Sequence, residues 1–158
     1  MRVVFLDFDG VLNDGVGPDR APRFQEQYLA RLQRILSVGR AVVVVISGWR
    51  RALSLVELAG HLRRAGLRIN VVDAVGWKPG ADGTDGRRDQ TRRWLLSHTG
   101  VTSWVVLDDS RAEWREPPRS VWEPSVPAWA ANRLVQPING LSEADVARAL
   151  AVLGPVPR

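Results

Sequence analysis

The sequence predicts an α/β fold with a mainly parallel central sheet and helices on both faces. Short apolar segments rich in valine and isoleucine alternate along the chain with longer amphipathic segments, and this alternation is typical of βαβ units. Several of the apolar segments end in aspartate or serine. Because ligands bind beyond the carboxyl ends of parallel strands, these polar ends are candidate positions for a functional site.

The first half of the chain contains three predicted strands and two predicted helices. Residues 3–8 are a short apolar run, and residues 41–47 are a continuous β-branched run that predicts a strand buried on both faces. Residues 67–75 predict a third strand. Between these segments, apolar side chains recur on one helical face over residues 23–39, and residues 50–66 predict a second helix that closes at a glycine.

The second half continues the alternation with a helix, a strand, a short strand and a final helix, at residues 87–100, 103–110, 132–138 and 141–154. Ser142 is the predicted N-cap of the final helix, and Asp145 lies three residues later in a capping-box arrangement. Glycine, proline and aspartate predict a loop over residues 76–86. The proline-interrupted segment 114–129 has no predicted path.

Length and composition indicate one domain. The chain has 158 residues, of which 45% are hydrophobic, so we assign residues 1–154 to a single domain and residues 155–158 to a frayed end. The absence of cysteine excludes disulfides and thiolate metal ligands. Asp7 and Asp9 interrupt the apolar run that a signal peptide needs, and no apolar run reaches the roughly 18 residues of a membrane span. We therefore expect a soluble cytoplasmic protein without a membrane partner.

The net charge of +5 and the sequence pI of about 11.1 favour anionic partners, such as nucleotides, phosphate esters or nucleic acid. Lys78 is the only lysine among the 22 basic residues. The arginine-rich composition is therefore also explained by a GC-rich genome, and the charge leaves both interpretations open.

Acidic and hydroxyl side chains gather at the predicted strand ends, namely Asp7, Asp9, Ser47, Asp108 and Asp109. Carboxylates that converge repel one another, and burial increases the repulsion. A divalent cation relieves it. Magnesium prefers oxygen ligands and often takes only one or two carboxylates together with a substrate phosphate. A group of aspartates without cysteine therefore predicts Mg²⁺ rather than zinc.

A metal-bound carboxylate beside a phosphate ester suggests phosphoryl transfer. An aspartate can act as nucleophile and form an aspartyl-phosphate, and a second carboxylate can protonate the leaving oxygen and later activate water. The segment "ISGWR" supplies the Ser47 hydroxyl and Gly48 where a strand turns into a predicted helix, whose free N–H groups would face an anion. A positive side chain should also reach the phosphate.

These segments resemble the motifs of the haloacid dehalogenase (HAD) superfamily of phosphohydrolases. "FLDFDGVLN" resembles its first motif, "VVVVISGWR" its second and "VVLDDS" its fourth. The resemblance implies that Asp7 is the nucleophile and Asp9 the general acid/base. It also implies that the Asp7 side chain, the Asp9 carbonyl and Asp108 hold Mg²⁺, that Ser47 holds the phosphate and that Asp109 supports the metal site.

The third HAD motif is a cation near the start of the helix before the fourth motif. Arg88 in "GRRDQTRRWL" is our choice, and Arg87 and Lys78 remain alternatives. The superfamily more often uses lysine here, so this chain departs from the usual pattern.

The wider set of segments, with the late "GLSEADVARAL", resembles the small HAD domains of bacterial RNA-repair proteins and, more distantly, the phosphatase domain of polynucleotide kinase–phosphatases. The segments 13–23 and 74–86 are too short for a cap domain, which predicts an open site. We expect a phosphatase acting on a nucleotide or on a phosphate-terminated nucleic acid end. The alternatives are a biosynthetic or housekeeping phosphatase for small nucleotides or sugars, and a non-catalytic phosphate- or RNA-binding module.

The seven tryptophans raise the question of base stacking. Trp94 and Trp104 are predicted packing residues. Trp49 follows Ser47 and Gly48 directly and is a candidate for stacking on a base, although it could instead cover the crevice. His61 and His98 have no metal-ligand spacing, and we interpret both as structural.

Overall fold

The computed structural model describes residues 1–13, 23–68, 70–76, 86–114 and 128–156. Five parallel strands form one sheet in the order β3-β2-β1-β4-β5. The strands are β1 (Arg2–Leu6), β2 (Val42–Val45), β3 (Val71–Ala74), β4 (Ser103–Leu107) and β5 (Leu134–Val135). The prediction of an α/β fold with a parallel sheet is confirmed. Each predicted strand is present and has fewer residues than predicted, and β1 begins one residue earlier, at Arg2.

Five helices and two short 3₁₀ turns connect the strands within the described residues. The helices are α1 (Glu26–Gly39), α2 (Leu55–Arg64), α3 (Arg87–Ser97), α4 (Ala128–Ala131) and α5 (Glu143–Leu153). The 3₁₀ turns are Gly48–Arg51 and Arg111–Trp114. None of the described helices is both long and apolar enough to cross a bilayer.

The sheet divides two apolar cores because alternate side chains of each strand point to opposite faces. Val4 and Leu6 of β1 pack into the larger core with α1, α2 and α5. Val3 and Phe5 pack into the smaller core with Trp94 of α3. In β2, Val43 and Val44 likewise contribute to different cores, as expected of a strand buried on both faces.

The second helix begins later than predicted. Residues 48–51 form a 3₁₀ turn, and α2 starts at Leu55 because Ser54 and Glu57 form a reciprocal capping box at that point. The predicted capping box at Ser142 and Asp145 is present at the start of α5.

The start of the predicted frayed end is fixed to the sheet. The Arg2 guanidinium donates to the carbonyl of Gly154 at 2.7 Å and to that of Pro155 at 2.8 Å. The Pro155 carbonyl therefore contacts β1, whereas residues 157–158 lie outside the described residues, and the frayed end over residues 155–158 stays a prediction.

Backbone hydrogen bonds continue past the ends of β1, β2 and β4, so the residues that follow these strands lie side by side at the carboxyl edge of the sheet. The Asp7 amide donates to the Leu107 carbonyl at 2.9 Å, and the Ile46 amide donates to the Leu6 carbonyl at 2.9 Å. The residues that directly follow these pairs are Ser47 and Asp108. The chain thus brings Asp7, Ser47 and Asp108 to the same edge of the sheet, as predicted from their places in the sequence.

Candidate active site

Two pairs of carboxylates stand at the ends of β1 and β4. We call Asp7 and Asp9 the β1 pair, and Asp108 and Asp109 the β4 pair. Asp7 and Asp108 are buried, with 1% and 0% of their surfaces exposed. Asp9 is half-buried and Asp109 is exposed. Each strand therefore ends in one inner carboxylate and one outer carboxylate.

Three of the four carboxylates could share a cation. Oxygen atoms of Asp7, Asp108 and Asp109 all lie within 4.8 Å of one another. Three hard carboxylate oxygens suit Mg²⁺ by their chemistry. The predicted contribution of the Asp9 carbonyl stays a prediction, and the Asp9 side chain is turned toward other partners.

Arg87 is the cation that reaches the inner carboxylates. Its Nη1 donates to Asp7 Oδ2 at 2.5 Å and to both oxygens of Asp108 at 2.9 Å. Arg88, our choice from the sequence, instead donates to Asp89 through Nε at 2.8 Å and Nη2 at 2.9 Å. Neighbouring residues on a helix point about 100° apart, so only one of the two arginines can face the carboxylates. Lys78 lies outside the described residues.

Burial dominates the electrostatics of Asp7. It raises the pKa of Asp7 to about 7, and the charge of Asp108 adds to the rise. Arg87, the Phe8 amide and the Ser47 hydroxyl oppose the rise without cancelling it. For Arg87, burial disfavours the charge, but Asp7 and Asp108 together raise the pKa of the guanidinium above its usual range. Arg87 therefore offsets only part of the cost of ionising Asp7.

Asp109 packs against the backbone of the first motif. Although the residue as a whole is exposed, partial burial of its carboxyl group, and then the charge of Asp108, raise the pKa of Asp109. Gly10 has a φ of +71°, and a Cβ placed there would lie 2.1 Å from Asp109 Oδ2. Glycine is therefore required after Asp9 both for its left-handed backbone and for the close approach of the β4 pair.

Ser47 and Gly48 lie beside Asp7, but the expected helix does not follow them. Ser47 is fully buried at the end of β2 and hydrogen bonds with Asp7. Its hydroxyl also accepts from the Trp49 amide at 3.4 Å. Gly48 begins a 3₁₀ turn of four residues, and a Cβ there would meet nothing within 4 Å. The space next to Gly48 is open.

Trp49 is not placed to stack on a base. Only 1% of its surface is exposed, and the ring packs in the larger core against Phe8, Phe24 and His61. Its indole Nε1 donates to Asp9 Oδ2 at 2.8 Å. The prediction that Trp49 binds substrate is therefore wrong for a direct contact, because the 3₁₀ turn directs the side chain into the core.

Three further residues around the carboxylates were not singled out from the sequence. Asn13 Nδ2 donates to Asp9 Oδ1 at 2.9 Å, and Trp114 Nε1 donates to Asp108 Oδ2 at 2.8 Å. Arg50 is buried and donates to the carbonyls of Ile46, Ser47 and Val75. Asn13 and Arg50 belong to the first and second motif segments, so their closeness in sequence to Asp9 and Ser47 could have predicted that they lie near the site.

Arg50 connects the second motif to the helix that carries Arg87. Its Nη2 donates to Gln90 Oε1 at 2.5 Å, and Gln90 is one helical turn from the start of α3. Burial lowers the pKa of Arg50 to about 10, with a further contribution from the charge of Arg87. The guanidinium therefore stays protonated at neutral pH and fixes the carboxyl ends of β2 and β3 to α3.

The sequence matches a family model described as the HAD domain in Swiss Army Knife RNA repair proteins, over residues 3–146. The chain belongs to this HAD family. No curated protein and no solved structure matches the chain significantly. The match includes all three motifs identified in the sequence, and the domain joins a superfamily of hydrolases that are usually phosphatases.

Membership of the HAD family and the geometry of the carboxylates agree on the first and fourth motifs. The acids of both motifs meet at adjacent strand ends, and Arg87, one of the alternatives for the third-motif cation, contacts an acid of each motif. Of the two short segments that would carry a cap, 13–23 and 74–86, residues 14–22 and 77–85 lie outside the described residues of this HAD domain. The open site therefore stays a prediction.

Proposed function

We propose that this HAD domain is an Mg²⁺-dependent phosphomonoesterase that works through an aspartyl-phosphate on Asp7. The observation that carries the proposal is the inner pair of carboxylates, Asp7 and Asp108, buried side by side with Arg87 and with Asp109 close enough to share a cation. Buried acids at this density destabilise a fold, so a function that needs them is the better explanation.

The chemistry assigns nucleophilic attack to Asp7 and both proton transfers to Asp9. A carboxylate oxygen of Asp7 attacks phosphorus, and the bond from phosphorus to the ester oxygen breaks. The Asp9 carboxyl group gives its proton to the departing oxygen, which leaves as an alcohol. Asp9 then takes a proton from water as the water oxygen attacks phosphorus. The bond from Asp7 to phosphorus breaks and releases inorganic phosphate.

Asp7, Asp108 and Asp109 would hold the metal. When bound, Mg²⁺ neutralises charge on the phosphoryl oxygens and on the acids themselves. Arg87 already contacts the nucleophile and would bind a phosphoryl oxygen from the same position. Ser47, adjacent to Asp7, has a hydroxyl that can donate to the phosphate.

For the substrate, we propose a nucleotide or the phosphate-terminated end of a nucleic acid. The net charge of +5 supports an anionic substrate. The description of the matching family names RNA repair proteins, which favours an RNA end over a free nucleotide or a sugar phosphate.

The test is a phosphatase assay on the purified protein with and without Mg²⁺. The substrates are p-nitrophenyl phosphate, a panel of nucleotides, and oligonucleotides with 3′- or 5′-phosphates. We expect Mg²⁺-dependent turnover that falls by at least about 1,000-fold in Asp7→Asn, with oligonucleotides preferred over mononucleotides. A preference for small phosphate esters would contradict the proposed substrate class. If the protein binds RNA without turnover, and Asp7→Asn leaves that binding unchanged, the domain is a binding module and not an enzyme.

A further inference from the structure

Both oxygens of the outer carboxylate of the β1 pair are held by side-chain donors. Asn13 Nδ2 donates to Asp9 Oδ1 at 2.9 Å, and Trp49 Nε1 donates to Asp9 Oδ2 at 2.8 Å. We infer that Trp49 is a positioning residue for proton transfer, which acts through its indole N–H by fixing the Asp9 carboxyl group toward the leaving oxygen. This inference rests on the proposed function.

The position of the indole is fixed by its packing. Trp49 lies edge-on to Phe8 with ring centroids 5.5 Å apart, is stacked on Phe24 at 5.9 Å, and meets His61 edge-on at 5.9 Å. An indole that is packed on three sides has few alternative rotamers available, so its N–H points in one direction. The donor that reaches Asp9 is therefore rigid.

The same ring also contacts the residue between the two acids of the β1 pair. Phe8 follows Asp7 and precedes Asp9, and its side chain is fully buried against Trp49. Trp49 belongs to the segment that starts with Ser47, next to Asp7. One side chain thus sets where Asp9 lies relative to both the nucleophile and Ser47.

The two donors leave Asp9 able to carry a proton. Indole and amide N–H groups only donate, and each carboxylate oxygen has a second lone pair. A proton can therefore sit on the face that is not occupied by Trp49 or Asn13. Proton transfer needs the acid within about 2.6–3.2 Å of its target. Without the indole N–H, rotation of the carboxyl group about its Cβ–Cγ bond would lower the fraction of productive orientations.

The chain contains a matched control. Trp94 is also buried, and its Nε1 donates to Asp73 Oδ2 at 2.6 Å. Trp94 packs in the smaller core on the opposite face of the sheet, and Asp73 is outside both carboxylate pairs. Trp94→Phe thus removes the same kind of hydrogen bond and a similar ring volume without touching Asp9.

The experiment compares kcat/KM for two phosphate esters, because this ratio reports the steps up to departure of the leaving group. The nitrophenolate of p-nitrophenyl phosphate leaves without much help from an acid, whereas the alkoxide of glycerol phosphate needs a proton. We expect Trp49→Phe to lower kcat/KM for glycerol phosphate by about 10- to 100-fold and that for p-nitrophenyl phosphate by less than about 3-fold. Trp94→Phe should leave the ratio of the two values unchanged.

A double-mutant cycle tests whether Trp49 acts through Asp9. In an Asp9→Asn background, Trp49→Phe should change kcat/KM for glycerol phosphate by less than about 2-fold. If Trp49→Phe does not fold, replacement of Trp49 by β-(3-benzothienyl)alanine keeps the fused ring and removes only the N–H. The same selective loss is expected from that variant.

A spectroscopic arm is independent of turnover. In ¹H–¹⁵N spectra of the indole groups, Asp9→Asn should move the Trp49 Nε1–H resonance, and Asp108→Asn should move that of Trp114 instead. An equal loss for both esters in Trp49→Phe, or a Trp49 resonance insensitive to Asp9→Asn, would overturn the positioning role alone. Wild-type protein without any Asp7-dependent turnover would overturn the proposed function, and the positioning role with it.

Discussion

The ends of β1 and β4 lie side by side, and both carry an inner and an outer carboxylate, yet they are held in different ways. In the β1 pair, Phe8 separates the acids and anchors the chain in the larger core, and an indole donates to the outer acid, Asp9. In the β4 pair the acids are adjacent, and an indole donates to the inner acid, Asp108.

This difference matches a division of labour between the two strand ends. The β1 pair combines the proposed nucleophile with an acid that must be aimed at a leaving group. The β4 pair combines two acids that can contribute to one cation site with Asp7. A tryptophan thus donates to the proposed proton carrier at one end and to a candidate metal ligand at the other.

The largest expected effect distinguishes the two acids of the β4 pair. Asp108→Asn removes the buried candidate ligand, and we expect kcat to fall by at least about 1,000-fold, since loss of metal stabilisation is worth several kcal/mol. Asp109→Asn should reduce kcat by about 10-fold, because Asp109 is the exposed member of the candidate ligand set and its loss leaves Asp7 and Asp108 in place. Titration of the activity with Mg²⁺ checks both. Equal losses would show that the two acids serve one role.

The next effect tests which arginine connects the two pairs. Arg87→Ala removes the side chain shared by Asp7 and Asp108, and we expect about a 100-fold loss in kcat/KM. Arg88→Ala, the matched control on the same helix, should change kcat/KM by less than about 3-fold, because Arg88 donates to Asp89. Steady-state kinetics at saturating Mg²⁺ decides. A larger loss in Arg88→Ala would restore the prediction made from the sequence.

A smaller effect is expected at the indole of the β4 pair. Trp114→Phe removes the donor to Asp108 and should raise the Mg²⁺ concentration needed for half-maximal activity by about 10-fold. The loss should be the same for p-nitrophenyl phosphate and glycerol phosphate, unlike the selective loss proposed for Trp49→Phe. A substrate-selective loss in Trp114→Phe would contradict the assignment of proton transfer to the β1 pair and of metal binding to the β4 pair.

The last effect is on stability rather than on activity, and it depends on pH. Because the pKa of Asp7 is raised to about 7 in the folded chain from an ordinary value of 3.8, the folded state binds the proton more tightly than the unfolded state does. Asp7 should therefore lower the stability of the metal-free protein as pH rises from about 4 to 7, by at most about 1.4 kcal/mol per pH unit.

Urea unfolding in EDTA at about pH 4.5, 6 and 7.5, which covers most of the interval between the unfolded and folded pKa values of Asp7, would measure this contribution. The stability of Asp7→Asn relative to the wild type should increase across the series. A difference that stays constant with pH would contradict the raised pKa. Saturating Mg²⁺ should reduce the difference at the highest pH, because the ion stabilises the ionised form of Asp7.

Local sequence patterns predicted the strand order along the chain and the acids at the strand ends. Residues 41–47 predicted a strand buried on both faces because a β-branched run of that length has few other stable conformations. The capping box at Ser142 was readable because it involves residues only three apart. The acids follow these strands directly, so Asp7 and Asp108 were identified along with them.

The directions of the side chains at the site could not be predicted from local sequence patterns. Arg87 and Arg88 are adjacent on α3, and the way this helix packs on the sheet decides which arginine faces Asp7. Trp49 follows Ser47 in the sequence, but a 3₁₀ turn rather than an α-helix sends its ring into the core.

The sequence by itself determined the parallel α/β fold, the acids at two strand ends and the membership of the HAD superfamily, because each depends on contiguous residues and their local periodicity. Only the tertiary structure decided that Arg87 contacts both inner acids and that Trp49 and Trp114 are donors to carboxylates. These contacts join residues from 6 to 80 positions apart. Their geometry depends on how helices and turns pack on the sheet, which no local pattern specifies.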